Sequence, residues 1–278
     1  MAEHTVPAIA LNNDVQIPQV GFGTFQIPPE DTKAAVSTAL EAGYRHIDTA
    51  QMYGNEKQVG EAVRESGIPR SELFVTSKLN NSFHAPADAV EAVAKSTDAL
   101  DLGPLDLYLI HWPLPKVGDF VDTWRALEGE YKAGQARAIG VSNFQQAHLE
   151  RLLAETEVVP AVNQIEVHPY FQQAPLRTFN REHGIATEAW APLGQGAVLD
   201  DEVLAAIGSE IGRSVAQVTL RWHLQRGDIV FPKSSTPARA AENFALFDFS
   251  LSDEQMSRID ALDAGRRLGP NPDEFNRV

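Results

Sequence analysis

Four side chains in the first half of the sequence have the chemistry of an acid–base site: Asp48, Tyr53, Lys78 and His111. A tyrosine hydroxyl has an ordinary pKa of about 10, and a lysine ammonium beside it favours the phenolate and lowers that pKa. Lys78 follows the hydrophobic run 73–77, so its ammonium needs a carboxylate partner, for which Asp48 is a candidate. With His111 as a second hydrogen-bonding group, this set is suited to protonating a carbonyl oxygen that gains negative charge.

Such a site also needs a hydride donor, which no side chain supplies, so the chemistry requires a cofactor. Lys233, Ser234 and Arg239 form a local basic cluster that suits a phosphate monoester such as the 2′-phosphate of NADP. A local cluster is needed because the formal net charge of −15 repels an anionic cofactor. Other candidates are Ser142, Asn143 and Gln164 for a nicotinamide carboxamide, Trp190 for stacking on the ring, and Asn243 for adenine.

Eight short apolar runs alternate with amphipathic helical patterns. Continuous apolar runs are typical of strands in a parallel sheet buried on both faces, and strict alternation implies right-handed crossovers. Eight units predict a closed (β/α)8 TIM barrel with its site at the carboxyl ends of the strands, and an open doubly wound sheet is the alternative. The predicted strands are Val20–Gly23, His46–Asp48, Phe74–Lys78, Leu105–His111, Ala136–Ser142, Val162–Glu166, Ala186–Trp190 and Ile229–Pro232. The predicted helices are Asp31–Ala42, Glu56–Glu65, Pro86–Leu100, Phe120–Lys132, Gln146–Ala154, Pro175–His183, Asp201–Ile211 and Pro237–Phe244.

Three segments lie outside the eight strand–helix units of the predicted barrel. Pro7–Leu11 and Val15–Ile17 flank a turn-favouring tip and predict a hairpin that plugs the amino-terminal mouth. Ser252–Leu262 predicts an extra helix that opens with a capping box. The Gly-, Pro- and Arg-rich tail Asp263–Val278 predicts a loop across the barrel. No linker divides the chain, so one barrel domain is expected over residues 1–278.

Composition excludes several classes of function. The chain has no cysteine, which rules out disulfides, thiolate metal sites and cysteine nucleophiles. The acidic balance, with a sequence pI of about 4.9, disfavours nucleic acids and anionic membranes as partners. The first residues lack the pattern of a signal peptide, and no apolar run approaches the roughly 18 residues of a membrane span. A cytoplasmic location is therefore expected.

Several segments resemble the aldo-keto reductase family. Gly43–Gly60 (GYRHIDTAQMYGNEKQVG) resembles the family's first signature throughout. The later family segments match, in order and spacing, at ARAIGVSNF (Ala136–Phe144), AVNQIEVHPY (Ala161–Tyr170) and FPKSSTPARAAEN (Phe231–Asn243). Two further segments resemble the prokaryotic branch that includes 2,5-diketo-D-gluconate reductases. They are EAWAPLGQG (Glu188–Gly196) and RWHLQRGDIVFPKS (Arg221–Ser234). The resemblance covers essentially the whole chain.

The resemblance implies a monomeric (β/α)8 barrel that binds NADPH/NADP+ and uses the tetrad Asp48, Tyr53, Lys78 and His111, with the tyrosine as general acid. It implies reduction of an aldehyde or ketone, such as a small carbonyl, a dicarbonyl or a keto-sugar acid like 2,5-diketo-D-gluconate. The cofactor set it implies also includes Gly23, Thr24, Asp48, Leu193 and Glu242. The substrate set it implies is Phe25, Tyr53, Asn80, His111 and Trp112. Asn80 stands where the family commonly has tryptophan, which removes an aromatic wall from the expected pocket.

Two other functions compete with reduction. A barrel that binds NADPH as a redox sensor or partner subunit would not need Tyr53. A metal-dependent hydrolase is suggested superficially by Glu166 and His168, but further ligands at fitting positions are lacking, so no metal site is expected. The candidate site residues also have purely structural interpretations. Asp48 and Lys78 could form a buried ion pair without a catalytic role, and Trp190 could belong to the hydrophobic core.

Overall fold

Eight short parallel strands form a closed barrel in the computed structural model, which describes residues 6–234 and 236–278. Val230 closes the ring, because its amide donates to Gln19 O and its carbonyl accepts from Gly21 N. A two-stranded hairpin, β1 (Ala8–Ala10) and β2 (Gln16–Pro18), precedes the barrel. The barrel strands are β3 (Phe22–Gly23), β4 (His46–Asp48), β5 (Phe74–Leu79), β6 (Leu107–Ile110), β7 (Ile139–Ser142), β8 (Val162–Glu166), β9 (Ala186–Trp190) and β10 (Ile229–Val230).

The predicted barrel is confirmed, with strand boundaries that differ by a few residues. β4, β8 and β9 have the predicted bounds, while the regular part of β6 begins two residues later than Leu105. All residues of β5 and β6 are buried, as expected for strands covered by side chains inside the barrel and by helices outside it.

Helices cover the outside of the barrel. Four of them begin with proline in the first turn, where a missing N–H breaks no helical hydrogen bond. The helices are α1 (Pro29–Glu41), α2 (Glu56–Glu65), α3 (Pro86–Leu100), α4 (Phe120–Lys132), α5 (Gln146–Glu155), α6 (Ala174–Glu182), α7 (Glu202–Ile211), α8 (Val215–Gln225), α9 (Pro237–Phe244) and α10 (Asp253–Asp260). None of the helices in the described ranges is long and apolar enough to cross a membrane.

The connection from β9 to β10 corrects the sequence prediction. The predicted helix Asp201–Ile211 exists as α7, but it contacts α8 and α10, whereas α8 packs on β10 as the barrel helix. Gly212 has a left-handed φ of 66° and ends α7, and Ser214 with Gln217 forms a capping box that starts α8. This capping signal was readable in the sequence and was missed.

The two ends of the barrel are closed differently. At the amino-terminal end, Leu11 and Ile17 of the hairpin region pack against Phe74, Leu107 and other strand-start residues, which confirms the predicted plug. At the other end the tail after α10 passes over the mouth. The capping box of α10 is present as predicted, with reciprocal hydrogen bonds between Ser252 and Gln255. The tail therefore lies over part of the carboxyl ends of the strands.

Candidate active site

A buried ion pair lies at the carboxyl ends of β4 and β5. The Lys78 ammonium donates to both carboxylate oxygens of Asp48, at 2.7 and 2.8 Å, and to the carbonyl of Thr49 at 2.9 Å. Lys78 is fully buried. Burial acts to lower the pKa of Lys78, but the charge of Asp48 and, at high pH, that of the Tyr53 phenolate outweigh this effect, so the net shift is upward. The ammonium therefore stays charged beneath the site, as the sequence predicted from the hydrophobic run.

Tyr53 connects this ion pair to an open cavity. It ends the short 3-10 helix Gln51–Tyr53, and Gly54 follows with a left-handed φ of 69°. The Lys78 ammonium lies 3.4 Å from the Tyr53 hydroxyl. The ring of Phe25 lies against the Tyr53 ring, with centroids 5.1 Å apart, and the His111 ring meets it edge-on at 5.8 Å. The structure thus brings together all four residues of the predicted acid–base set.

The protonation states correct one sequence expectation. Burial raises the pKa of Tyr53, Lys78 opposes that shift, and Asp48 adds to it, so the net shift is upward rather than downward. Burial, reinforced by the Lys78 charge, holds the pKa of His111 well below its ordinary value. At neutral pH the site therefore presents a protonated phenol and a neutral imidazole, and both can donate a hydrogen bond to a carbonyl oxygen.

A cavity of about 1250 Å³ extends from Tyr53 across the barrel mouth. This volume exceeds the roughly 300–1,000 Å³ of a pocket for one drug-sized ligand, so it has room for a large cofactor together with a small substrate. The predicted site residues that line it are Gly23, Phe25, Asp48, Tyr53, His111, Trp112, Ser142, Asn143, Gln164, Trp190, Leu193, Lys233, Ser234, Arg239, Glu242 and Asn243.

The basic cluster lies at the far end of this cavity. Lys233 and Arg239 are exposed, and neither forms an ion pair within residues 6–234 and 236–278. Arg239 belongs to α9, whose N-cap residue Thr236 makes no side-chain capping bond, so the first amides of the helix remain available. Exposed cations beside a helix N-terminus fit a phosphate monoester.

An amide network lies between the two ends. Gln164 Nε2 donates to Asp48 Oδ2 at 2.9 Å and to Glu188 Oε2 at 2.8 Å. The Asn143 side chain donates to His111 O at 3.0 Å and accepts from Trp190 Nε1 at 2.8 Å. Trp190 is thereby held at the cavity wall, where one ring face can stack on a planar ligand. This middle part of the cavity fits a nicotinamide ring and its carboxamide.

Backbone strain concentrates around the cavity. Four lining residues other than glycine have left-handed φ angles: Gln26 (61°), Asn143 (65°), Ala191 (48°) and Gln195 (53°). Such conformations are held only when the surroundings determine them, and they cluster at functional sites. At Asn143 the strained backbone turns the side chain between His111 and Trp190.

The carboxyl-terminal tail is fastened over the cavity by Glu166. Its two carboxylate oxygens accept from the amides of Leu268 at 2.6 Å and Gly269 at 2.9 Å, and His168 Nε2 lies 3.0 Å from Oε1. A Cβ at Gly269 would lie 2.5 Å from the Trp190 ring, so glycine allows the tail to approach closely. The Glu166–His168 pair thus binds the tail, and the described residues contain no group of three or more potential metal-ligating side chains.

Three predicted site residues do not line the cavity: Lys78, which is buried beneath it, Asn80 and Thr24. The Asn80 side chain accepts from Ser82 N at 3.2 Å and caps the short helix Asn81–Phe83, and it is not among the cavity-lining residues, although the resemblance placed it in the substrate set. Thr24 is fully buried, and its hydroxyl donates to the backbone carbonyl of Asp48, so it stabilises the carboxyl end of β4. Trp112 does line the cavity, and it packs on Phe275 of the tail with ring centroids 4.3 Å apart.

Sequence reasoning missed several members of the site. Met52, Phe231, Gly269 and Pro270 line the cavity, and Glu188 lies beneath it. The available signal for Glu188 was a carboxylate in the middle of a buried strand, which is rare without a partner. The tail residues carried no such signal, because their approach depends on the packing of distant segments.

Comparison with known proteins identifies close relatives along the whole chain. The sequence model of the aldo/keto reductase family matches residues 19–264. An aldo-keto reductase of Mycolicibacterium smegmatis is 50% identical over 270 residues, covering 97% of this chain and 98% of that protein. The methylglyoxal reductase DkgA of Yersinia pestis is 47% identical over 272 residues, covering 97% of each.

A solved structure has the same architecture with a cofactor bound. A Gox0644 mutant in complex with NADPH superposes with a TM-score of 0.94 at 43% sequence identity, covering 98% of this chain and 99% of that one. The likeness therefore extends over nearly the whole chain.

Proposed function

This chain is a member of the aldo/keto reductase family of oxidoreductases, and we propose that it reduces a small aldehyde or ketone to the alcohol with NADPH. The observation that carries the proposal is the buried Lys78 ammonium, held by Asp48 and lying 3.4 Å from the Tyr53 hydroxyl at the cavity wall. A barrel that only binds a nucleotide has no need of such an arrangement.

The four residues divide the acid–base work. Tyr53 donates its hydroxyl proton to the carbonyl oxygen, and the phenolate that remains is stabilised by Lys78. Neutral His111 donates an N–H to the same oxygen and orients the carbonyl. Asp48 keeps Lys78 charged and in place. Because the pKa of Tyr53 is shifted upward from an already high ordinary value, the hydroxyl carries its proton at neutral pH.

The other lining residues support NADP(H) as the cofactor. When bound, NADPH supplies the hydride that the carbonyl carbon receives. Lys233, Ser234 and Arg239 would hold the 2′-phosphate, and Trp190 would stack on the nicotinamide ring. Gln164, with Ser142 and Asn143, would hold the carboxamide. The NADPH complex of Gox0644, a related structure, supports NADPH as the cofactor.

The reacting end of the cavity supports a small carbonyl substrate. Phe25 is 52% exposed and Met52 43% exposed beside Tyr53, and Trp112 lines the same region. Because these three side chains are largely apolar, Tyr53 and His111 would make the polar contacts to the substrate carbonyl. The methylglyoxal reductase among the relatives makes 2-oxoaldehydes the first class to examine.

Oxidation of NADPH, followed by absorbance at 340 nm, tests the proposal. The substrates are methylglyoxal, phenylglyoxal, a simple aldehyde and 2,5-diketo-D-gluconate, and each is repeated with NADH. We expect turnover with NADPH to exceed turnover with NADH. Absence of turnover on every substrate, with NADPH still bound, would favour the sensor or partner-subunit role instead.

A further inference from the structure

Glu188 is a buried carboxyl group in the centre of the barrel that the proposed reaction does not use. It lies on β9 and is fully buried. Its Oε2 accepts from Gln164 Nε2 at 2.8 Å, while its Oε1 has no hydrogen-bond partner among the described residues. A buried carboxylate with a bare oxygen is energetically costly, so this arrangement needs an explanation.

Gln164 links Glu188 to the acid–base set. Its Nε2 also donates to Asp48 Oδ2, at 2.9 Å, and Asp48 in turn accepts from Lys78. The two hydrogens of Nε2 are therefore both used. The ionised Asp48 can only accept, so Nε2 must point toward the barrel interior, and the carbonyl oxygen of the Gln164 amide must point the other way. That oxygen accepts no hydrogen bond from any residue that the structure describes, and Gln164 lines the cavity.

Burial and the neighbouring charges together determine the protonation of Glu188. The charged groups that act on it are Asp48 on β4 and Lys78 on β5, and these two neutralise each other. An ionised Glu188 would give the cluster a net negative charge inside the barrel. Burial and the Asp48 charge raise the pKa of Glu188 to about 8, against smaller opposing effects of Gln164 and Lys78. At neutral pH the group is mostly protonated.

We propose that neutral Glu188 is a positioning residue that, together with Asp48, fixes the Gln164 amide so that its carbonyl oxygen receives an N–H of the nicotinamide carboxamide. This inference rests on the proposed function. Glu188 then affects cofactor affinity through the nicotinamide carboxamide. Lys233 and Arg239 affect cofactor affinity separately, through the 2′-phosphate.

Two variants of Glu188 and one control test this role. Glu188→Gln keeps a neutral acceptor for Gln164, so we expect its Kd for NADPH, measured by fluorescence titration at pH 7, to stay within about twofold of wild type. Glu188→Leu removes the acceptor and frees Gln164 to rotate, so Kd should rise about tenfold. The control is Glu128→Gln, a buried glutamate on α4 that accepts from the amides of Glu157 and Val158, far from the network.

A cofactor analogue makes the test specific to the carboxamide. The 3-acetylpyridine analogue of NADPH has no N–H to donate to Gln164. Glu188→Leu should therefore weaken NADPH and NADH by the same factor and the acetylpyridine analogue by much less. Equal weakening of all three cofactors would overturn the proposal, because it would indicate a general distortion of the site.

Thermal unfolding of wild type and of the Glu188→Gln variant over a series of pH values tests whether Glu188 is protonated in the folded protein. Since the folded-state pKa is raised, wild type loses stability as pH rises from the unfolded value near 4.5 to about 8. The amide variant lacks that loss, so its Tm advantage should grow from pH 5 to pH 8. A constant difference would contradict a protonated Glu188. Loss of wild-type turnover would instead contradict the proposed function, so the two failures are distinguishable.

Discussion

The two ends of the cavity handle charge in opposite ways. At the reacting end, Lys78 is fully buried and Asp48 nearly so, and every donor of the ammonium is directed at a partner. At the phosphate end, Lys233 and Arg239 are exposed and without an ion pair in the described ranges. The ion pair at the reacting end is formed without a ligand, whereas the two cations at the phosphate end are free to pair with a bound phosphate.

This difference has a physical reason. Groups that stabilise charge developing during a reaction act best when they are fixed in advance in a dry environment. Groups that select a cofactor by its charge can remain in solvent, where the long side chains sample many positions and salt screens them. Substitutions at the two ends should therefore affect different kinetic constants.

The largest effect is expected at the reacting end. Tyr53→Phe removes the proton donor while keeping the ring against Phe25, so kcat for carbonyl reduction should fall by about 10²–10⁴. The Kd for NADPH, measured by fluorescence titration, should stay within about twofold. Full turnover in this variant would show that Tyr53 is not the general acid.

The next largest effect is expected at the phosphate end. Arg239→Ala should raise KM for NADPH by about tenfold or more, because a charge-assisted contact to the phosphate is lost. KM for NADH and kcat should change little. Steady-state kinetics with both cofactors check this, with Arg258→Ala as the control, because this arginine on α10 pairs with Glu210 and does not line the cavity. If KM rose equally for NADPH and NADH, Arg239 would not contact the 2′-phosphate.

A smaller effect is expected where the tail is bound over the cavity by Glu166. Glu166→Gln replaces one oxygen that accepts from Leu268 or Gly269 by a donor, so the tail should loosen. Hydrogen exchange at these amides should accelerate, with a rise of a few-fold in Kd for NADPH. Hydrogen-exchange mass spectrometry of the tail peptide measures this, and Glu157→Gln on the surface is the control. Unchanged exchange would mean that other contacts hold the tail.

The smallest effect is expected at Asn80. Because its side chain caps a short helix and does not line the cavity, Asn80→Ala should change kcat/KM by less than about threefold. Trp112→Ala, which removes a lining ring that packs on Phe275, should lower kcat/KM by about tenfold. A change at Asn80 as large as that at Trp112 would restore Asn80 to the substrate pocket.

Much of the fold was predictable because local patterns and tertiary structure agree. The apolar runs became strands, the plug hairpin and α10 formed where turn and capping residues predicted them, and the expected family membership is confirmed. The error in the β9–β10 connection arose because the capping box that starts α8 was overlooked, and the packing shows that α8 rather than α7 contacts β10.

The predicted acid–base residues were found together because strand ends in a parallel barrel meet at one face. The pKa of Tyr53 was predicted in the wrong direction. Residue types show that Lys78 lowers this pKa, but the larger effect of burial depends on the complete surroundings of the ring.

By itself the sequence determined the order of strands and helices, the chemical groups at the strand ends and the basic cluster, because these depend on residue type and short-range periodicity. Only the tertiary structure decided how those groups share protons and partners. Asp48 and Gln164 are 116 positions apart, yet one amide joins them and Glu188. Such a network depends on distances of a few ångströms between segments remote in the chain, and no local pattern encodes them.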